Sequence, residues 1–139
     1  MTAVAPLPPA PVDELSRPFW EAVEKGHLVF QCCRACANAW LPARSECPAC
    51  LSADTDWRPA SGNARLVSWV VYHRAFNASF ADRLPYTVAI AELEEGPRMI
   101  TNIVGVDDPE HLSVDQPLTL KIERDGGVAV PRFVPRNGV

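Results

Sequence analysis

Four cysteines in the order Cys33-x2-Cys36-x10-Cys47-x2-Cys50 constrain what this chain can fold into more than any other feature. Two such knuckles, joined by a connection of hairpin length, can bring four thiolates to the corners of one tetrahedron. Zinc accepts that geometry, because it is a d10 ion with no directional demand of its own and a liking for soft sulfur. The spacing has the general form of paired C-x2-C zinc sites, with a gap shorter than the commonest one. Four unrelated thiols, or two disulfides, are the alternatives.

The N-terminal residues speak against disulfides. Residues 1–11 hold no basic side chain and no long apolar run, so no secretory signal is expected there, and no later run is long enough to span a bilayer. A cytoplasmic protein is therefore expected, in which thiols stay reduced and clustered cysteines mean metal or redox chemistry. The chain has 139 residues, 47% hydrophobic and 22% charged, which suits one modest globular unit or two small coupled ones. A net charge of −4 and a pI near 5.3 argue against a large phosphate-binding surface.

Residues 1–12 are proline-rich and read as an extended arm. A short helix follows. Pro18 sits in its first turn, Phe19, Trp20 and Val23 form its apolar stripe with Leu15 leading in, and Gly26 stops it. Phe19 and Trp20 must dock on something, either this chain's own body or a partner subunit. Residues 28–32 read as a strand entering the first knuckle and residues 40–44 as a strand returning between the knuckles. The two arms form a ribbon clamped by one ion, too small to bury a core of its own. Residues 54–63 read as a connection anchored by Trp57.

From Ala64 the pattern becomes strand-like. Strands are expected over residues 65–72, 86–93, 99–106, 117–124 and 128–134, with turns at Glu94-Glu95-Gly96-Pro97 and Asp125-Gly126-Gly127. Five strands without a long helix suggest a small closed barrel, for which a Greek-key OB fold is the size match and an SH3-like barrel the competitor. The expected fold is mainly β. Residues 1–26 form an arm and docking helix, residues 27–56 a zinc ribbon, and residues 57–139 an OB-fold domain with a C-terminal tail.

This arrangement resembles the acyl-CoA-associated OB-fold proteins with an N-terminal rubredoxin-like zinc ribbon. The resemblance runs through Pro18-Phe19-Trp20, Gly26-His27-Leu28, Gln31-Cys32-Cys33-Arg34-Ala35-Cys36, Leu41-Pro42-Ala43-Arg44 and Cys47-Pro48-Ala49-Cys50. It continues in Pro85-Tyr86-Thr87-Val88-Ala89, Glu92-Leu93-Glu94-Glu95-Gly96-Pro97-Arg98 and Val130-Pro131-Arg132-Phe133. It implies one Zn2+ per chain and a companion of a thiolase-fold enzyme acting on acyl-CoA, in a hetero-oligomer. The partner would carry the nucleophilic cysteine and histidines, and this chain would stabilise it and help enclose the acyl-CoA. The family's knuckles usually place glycine after the second cysteine of each pair, where Ala37 and Leu51 stand here.

Other chemistries are less well supported. Both zinc and iron accept four thiolates, but a ribbon that orients a helix and a barrel calls for a structural ion, which favours zinc. An OB fold can bind single-stranded nucleic acid through a cationic groove interleaved with aromatics. Arg65, Arg74 and Arg83 with Trp69, Tyr72, Phe76 and Phe80 are a faint version of one, set against an acidic balance. No sequence context pairs His27, His73 or His111 with a nucleophile, and Cys32 reads as a buried inert thiol, so the chain is not expected to be an enzyme by itself. Residues 73–83 form a loop whose Arg74, Phe76 and Phe80 could meet CoA or a partner surface. Phe19, Trp20 and Phe133 are the remaining candidate partner contacts.

Overall fold

The computed structural model describes residues 13–136. The expected proline-rich arm and the last three residues of the tail lie outside the described residues. Helix α1, Arg17–Glu24, starts with Pro18 in its first turn, where a missing N–H breaks no bond. Just before it, the Ser16 amide donates to the Asp13 carboxylate (2.8 Å) and the Asp13 amide donates to the Ser16 hydroxyl (3.1 Å). Beyond the helix Gly26 takes φ +88°, the left-handed conformation that suits glycine. Val23 is fully buried. Phe19 packs against the barrel core, and the half-buried Trp20 meets it edge-on with ring centroids 5.1 Å apart. Thus Phe19 docks on this chain's own body. Glu24 pins the helix down by pairing with Arg124 (2.5 Å) and accepting from the Ala129 amide (3.3 Å).

The ribbon is a three-stranded antiparallel sheet of β1 (Val29–Cys33), β2 (Ala39–Trp40) and β3 (Thr55–Pro59), in the order β2-β1-β3. Two expectations change here. The supposed connection over residues 54–63 contains β3, with Trp57 opposite Gln31. The returning strand expected over residues 40–44 shrinks to Ala39–Trp40. Pro42 has no N–H to donate to a ladder, and the side chain of Gln31 takes the place of the missing strand. Its amide nitrogen donates to the Arg44 carbonyl (3.0 Å), while its carbonyl accepts from the Arg44 amide (2.6 Å) and the Trp40 indole (2.9 Å).

The remaining strands are β4 (Asn63–Tyr72), β5 (Tyr86–Leu93), β6 (Arg98–Ile103), β7 (Pro117–Asp125) and β8 (Val128–Pro135). They close into a barrel in the order β4-β5-β6-β8-β7, with β7 returning to β4. This is the OB-type Greek key, and the SH3-like alternative falls away. β6 stops at Ile103, earlier than the expected residue 106, where the Val104 amide turns to the Phe133 carbonyl (2.9 Å). The β7–β8 hairpin turns on Gly126 and Gly127 with φ +62° and +84°, the primed turn that matches strand twist.

Leu66, Leu93, Leu118 and Phe133 are sealed in the barrel, with Ala89, Ala91 and Ile103 beside them. Phe133, expected at a partner surface, has 0% exposure and belongs to the core. It stands opposite both Ile103 and Leu120, so alternation along β8 turns it inward. Leu28, immediately before the ribbon's first strand, joins the same cluster, and the Ala60 amide bonds the Leu28 carbonyl (2.8 Å). Ribbon and barrel therefore share packing where they meet. On the barrel wall Arg132 bridges Glu123 (2.9 Å) and Asp125 (2.8 Å), and Arg83 pairs with Asp125. Burial raises the Asp125 carboxyl, but the two guanidinium groups outweigh that and hold it below its ordinary range.

Candidate metal centre

The sulfurs of Cys33, Cys36, Cys47 and Cys50 all lie within 4.8 Å of one another. Cys33 and Cys50 are 3.6 Å apart, as are Cys36 and Cys47. A tetrahedral zinc with bonds of about 2.3 Å to sulfur places its ligands roughly 3.8 Å apart, so the donor set fits one zinc ion.

The two knuckles repeat one hydrogen-bond pattern. In the first, the Cys33 amide donates to the Asn38 carbonyl (2.8 Å) and the Ala37 amide to the Cys33 carbonyl (2.9 Å). In the second, the Cys47 amide donates to the Ser52 carbonyl (2.9 Å) and the Leu51 amide to the Cys47 carbonyl (2.8 Å). Ala37 and Leu51 both take φ +66°, so the knuckle turns are made without the glycines usual at these places. In each knuckle the first cysteine is buried and the second exposed.

Backbone and neighbouring donors point at the sulfurs. Cys47 Sγ accepts from the amides of Ala49 (3.3 Å) and Cys50 (3.5 Å) and from Asn38 Nδ2 (3.7 Å). Burial raises the Cys47 thiol, yet the amides of Cys50 and Ala49 and the Cys36 thiol draw it down to about 6. Burial likewise raises Cys33, and the amides of Cys36 and Ala35 bring it below its ordinary value. Cys36 behaves in the opposite way. The Asn38 amide lowers it, but burial and the thiols of Cys47, Cys50 and Cys33 push it up to about 12. Four thiols this close cannot all ionise together unless a cation sits among them. With four sulfurs in place no position remains for water, which makes this a closed structural site.

Cys32, the fifth cysteine, is buried on β1, its sulfur 3.8 Å from the carbonyls of Cys33 and Ala37. Gln31 escaped the sequence reading. Its signal was a lone polar residue inside an apolar strand, which had to find buried partners.

Of the other candidate residues, Arg74, Phe76 and Phe80 gather at the end of the barrel where β4 leads into β5. Ala78–Arg83 form a short 3-10 helix in the 73–83 loop, with the Asn77 side chain accepting from the Ser79 amide (2.9 Å). Tyr72 stacks on Tyr86 with centroids 5.0 Å apart, and Phe80 lies 5.5 Å from Tyr86. Phe76 meets Tyr72 edge-on at 6.1 Å yet remains 81% exposed, and Arg74 beside it is exposed and has no ion pair among the described residues. Two of the three arginines of the faint nucleic-acid groove have carboxylate partners. Arg65 is paired with Glu92 and Asp115, Arg83 with Asp125, and Trp69 packs against the core.

Comparison with known proteins places this geometry. Residues 20–56 match the family model for the rubredoxin-like zinc ribbon domain of ChsH2, and residues 57–123 match that for its C-terminal OB-fold domain. A probable enoyl-CoA hydratase alpha subunit of Thermomonospora curvata is 36% identical over 93% of this chain. The match spans 40% of that subunit's own length. A DUF35 domain-containing scaffold protein of Methanothermobacter thermautotrophicus is 30% identical over 81% of this chain and 86% of its own length. Among solved structures, a chain of the Ltp2-ChsH2(DUF35) aldolase superposes with a TM-score of 0.80 and 33% identity, covering 91% of this chain and 98% of that one.

Proposed function

The chain belongs to the DUF35 family, with the zinc-ribbon and OB-fold domains of ChsH2, and on that premise we propose that it is a non-catalytic accessory subunit of a thiolase-fold enzyme acting on acyl-CoA. The observation that carries this reading is the likeness, over nearly the whole of both chains, to the DUF35 chain of the Ltp2-ChsH2 aldolase. The hydratase subunit's name points to the same class of acyl-CoA substrate. In this reading Cys33, Cys36, Cys47 and Cys50 hold one structural zinc, and the ribbon orients α1 against the barrel. The chain stabilises its enzyme and helps enclose the acyl-CoA. The loop with Arg74, Phe76 and Phe80 supplies contacts to the partner or to CoA, and Trp20 completes the contact surface on the helix. None of the three histidines lies in a nucleophile–base constellation among the described residues, so the reacting groups belong to the partner.

The test is assay of acyl-CoA carbon–carbon bond cleavage with each subunit alone and with both. Activity is expected only from the pair, after the chain has been recovered with an identified thiolase-fold subunit. Full activity from the large subunit alone would refute the accessory role.

A further inference from the structure

Leu118 and Leu120 of β7 turn into the barrel core, so alternation puts Lys121, Glu123 and Asp125 on the outer side of the strand. Arg132 of β8 stands opposite Lys121 and shares that side. The signs alternate along this row. Lys121 meets Glu123 (3.3 Å), Glu123 meets Arg132 (2.9 Å), and Arg132 meets Asp125 (2.8 Å). The row does not end on the hairpin. Asp125 also pairs with Arg83, the last residue of the 3-10 helix in the 73–83 loop, and its Oδ2 takes both guanidinium groups.

Exposure falls along the row. The Lys121 side chain is 54% exposed, that of Arg83 15% and that of Asp125 only 9%. Water and salt screen the Lys121 end and hardly reach the Asp125–Arg83 end, so the pair that ties the loop to the barrel is the strong one. The loop needs such a tie. So short a 3-10 helix has no stability of its own in water. The bonds within it are local: the Ser79 amide donates to the Asn77 side chain (2.9 Å), the Phe80 amide to the Asn77 carbonyl (2.9 Å), and Arg83 Nε to the Ser79 carbonyl (3.3 Å). Phe80 against Tyr86 is the apolar contact that accompanies the ion pair. Losing the carboxylate would do more than delete an attraction. Arg83 and Arg132, now gathered at one oxygen, would face each other as like charges in a poorly solvated place.

We infer that Asp125 is the latch of the 73–83 loop: acting through Arg83, it fixes the loop on the β7–β8 hairpin and so sets where Arg74 and Phe76 stand. Asp125 is in this sense a positioning residue. The inference goes beyond the accessory-subunit reading and does not depend on it, because the order of the loop is a property of the chain whatever the loop meets.

The test uses the full, zinc-loaded chain and amide hydrogen exchange followed by NMR. In Asp125→Asn the Ser79 and Phe80 amides should exchange roughly tenfold faster or more. Arg83→Gln leaves the hairpin's own ion pairs in place. It should loosen the same two amides about as much, without changing exchange at Ala89 and Ala91 in β5. Arg83→Lys keeps the charge and should restore most of the protection. Glu123→Gln also takes a partner from Arg132 but leaves Arg83 its carboxylate, so loop exchange should change by less than about twofold. In the double variant Asp125→Asn/Arg83→Gln the facing like charges are gone, and exchange should be no faster than in Asp125→Asn alone. Unchanged exchange in both Asp125→Asn and Arg83→Gln would overturn the inference and leave Phe80 on Tyr86 as what holds the loop. An effect of Glu123→Gln as large as that of Asp125→Asn would also overturn it, since the loop would then be following the hairpin's stability. The same holds if Arg83→Lys is as loose as Arg83→Gln, because charge would not be what fastens the loop.

Discussion

The ribbon and the barrel are both small β structures, but opposite means hold them together. The barrel seals Leu66, Leu93, Leu118 and Phe133 between five strands that leave no open edge. The ribbon has three strands, one of them two residues long, and its own buried apolar cluster is Cys33, Trp40 and Cys47. Two members of that cluster belong to the four-sulfur site that fits one zinc ion. Apolar burial can therefore hold the barrel, whereas the ribbon needs the bonds that four sulfurs make to an ion. The lesson is that adjacent segments of one chain can depend on different chemistries while sharing a seam, here Leu28 and Ala60.

The sharpest way to break this comparison is to remove the metal. A four-thiolate zinc contributes about 10–16 kcal/mol to small zinc modules near neutral pH, so its loss should unfold the ribbon outright. After chelation, or in Cys47→Ser, amide exchange protection in β1 and β3 should vanish while protection in β5 and β8 persists. Elemental analysis before chelation should give one zinc per chain; iron in its place would overturn the assignment. Loss of protection in both regions together would mean that the seam makes them one cooperative unit.

The converse experiment truncates the barrel. Phe133→Ala leaves a large cavity at a fully buried site and should cost about 3–5 kcal/mol. Zinc content should remain at one per chain if the two regions are as separable as their chemistries suggest. Denaturant melts of the zinc-loaded variant, paired with metal analysis, check both statements.

The parts of this architecture that were legible in the sequence are those governed by short-range rules. The gathering of the four cysteines, the helix stop at Gly26, β5 and the hairpin turns followed from spacing, period and turn chemistry. The parts missed depend on partners distant in sequence. β3 carries Asp56, Arg58 and Pro59 in five residues and has no strand-like pattern; it is a strand because β1 offers it a ladder. Phe133 fell in the expected strand over residues 128–134, but standing between Pro131 and Pro135 beside Arg132 it read as a partner contact, since its core position is set by pairing with β7 and β6. The exposed apolar positions of the barrel wall were hidden for a related reason. Val70, Ile90 and Ile100 each belong to a run that is apolar on both faces, and only the register shows which of them look outward.

Gln31 offers a finer probe of the ribbon. Its amide satisfies the Trp40 indole and both backbone groups of Arg44, and it is itself 3% exposed. Gln31→Leu keeps the size but leaves those groups without partners, at about 1–3 kcal/mol for a buried orphan. A destabilisation of roughly 2–3 kcal/mol is expected, confined to the ribbon and visible as faster zinc transfer to a competing chelator. An unchanged transfer rate would mean that the metal alone orders the segment after Trp40.

The smallest expected effect runs in the other direction. Ala37 and Leu51 hold φ +66° at the knuckle turns, a conformation that costs an L-residue roughly 1–2 kcal/mol. Glycine avoids that cost but loses more chain freedom on folding, by about 0.5–1 kcal/mol relative to alanine. The balance favours Leu51→Gly by about 0.5 kcal/mol, since the leucine side chain is 71% exposed and gives up little burial when removed. The amide of residue 51 still donates to the Cys47 carbonyl, so the turn itself is preserved. Zinc retention against a graded chelator should improve slightly in Leu51→Gly and in Ala37→Gly, with no change in the barrel's melt. If Leu51→Gly instead weakens assembly with the enzyme subunit at unchanged zinc affinity, the leucine contacts that subunit and the second knuckle belongs to the interface.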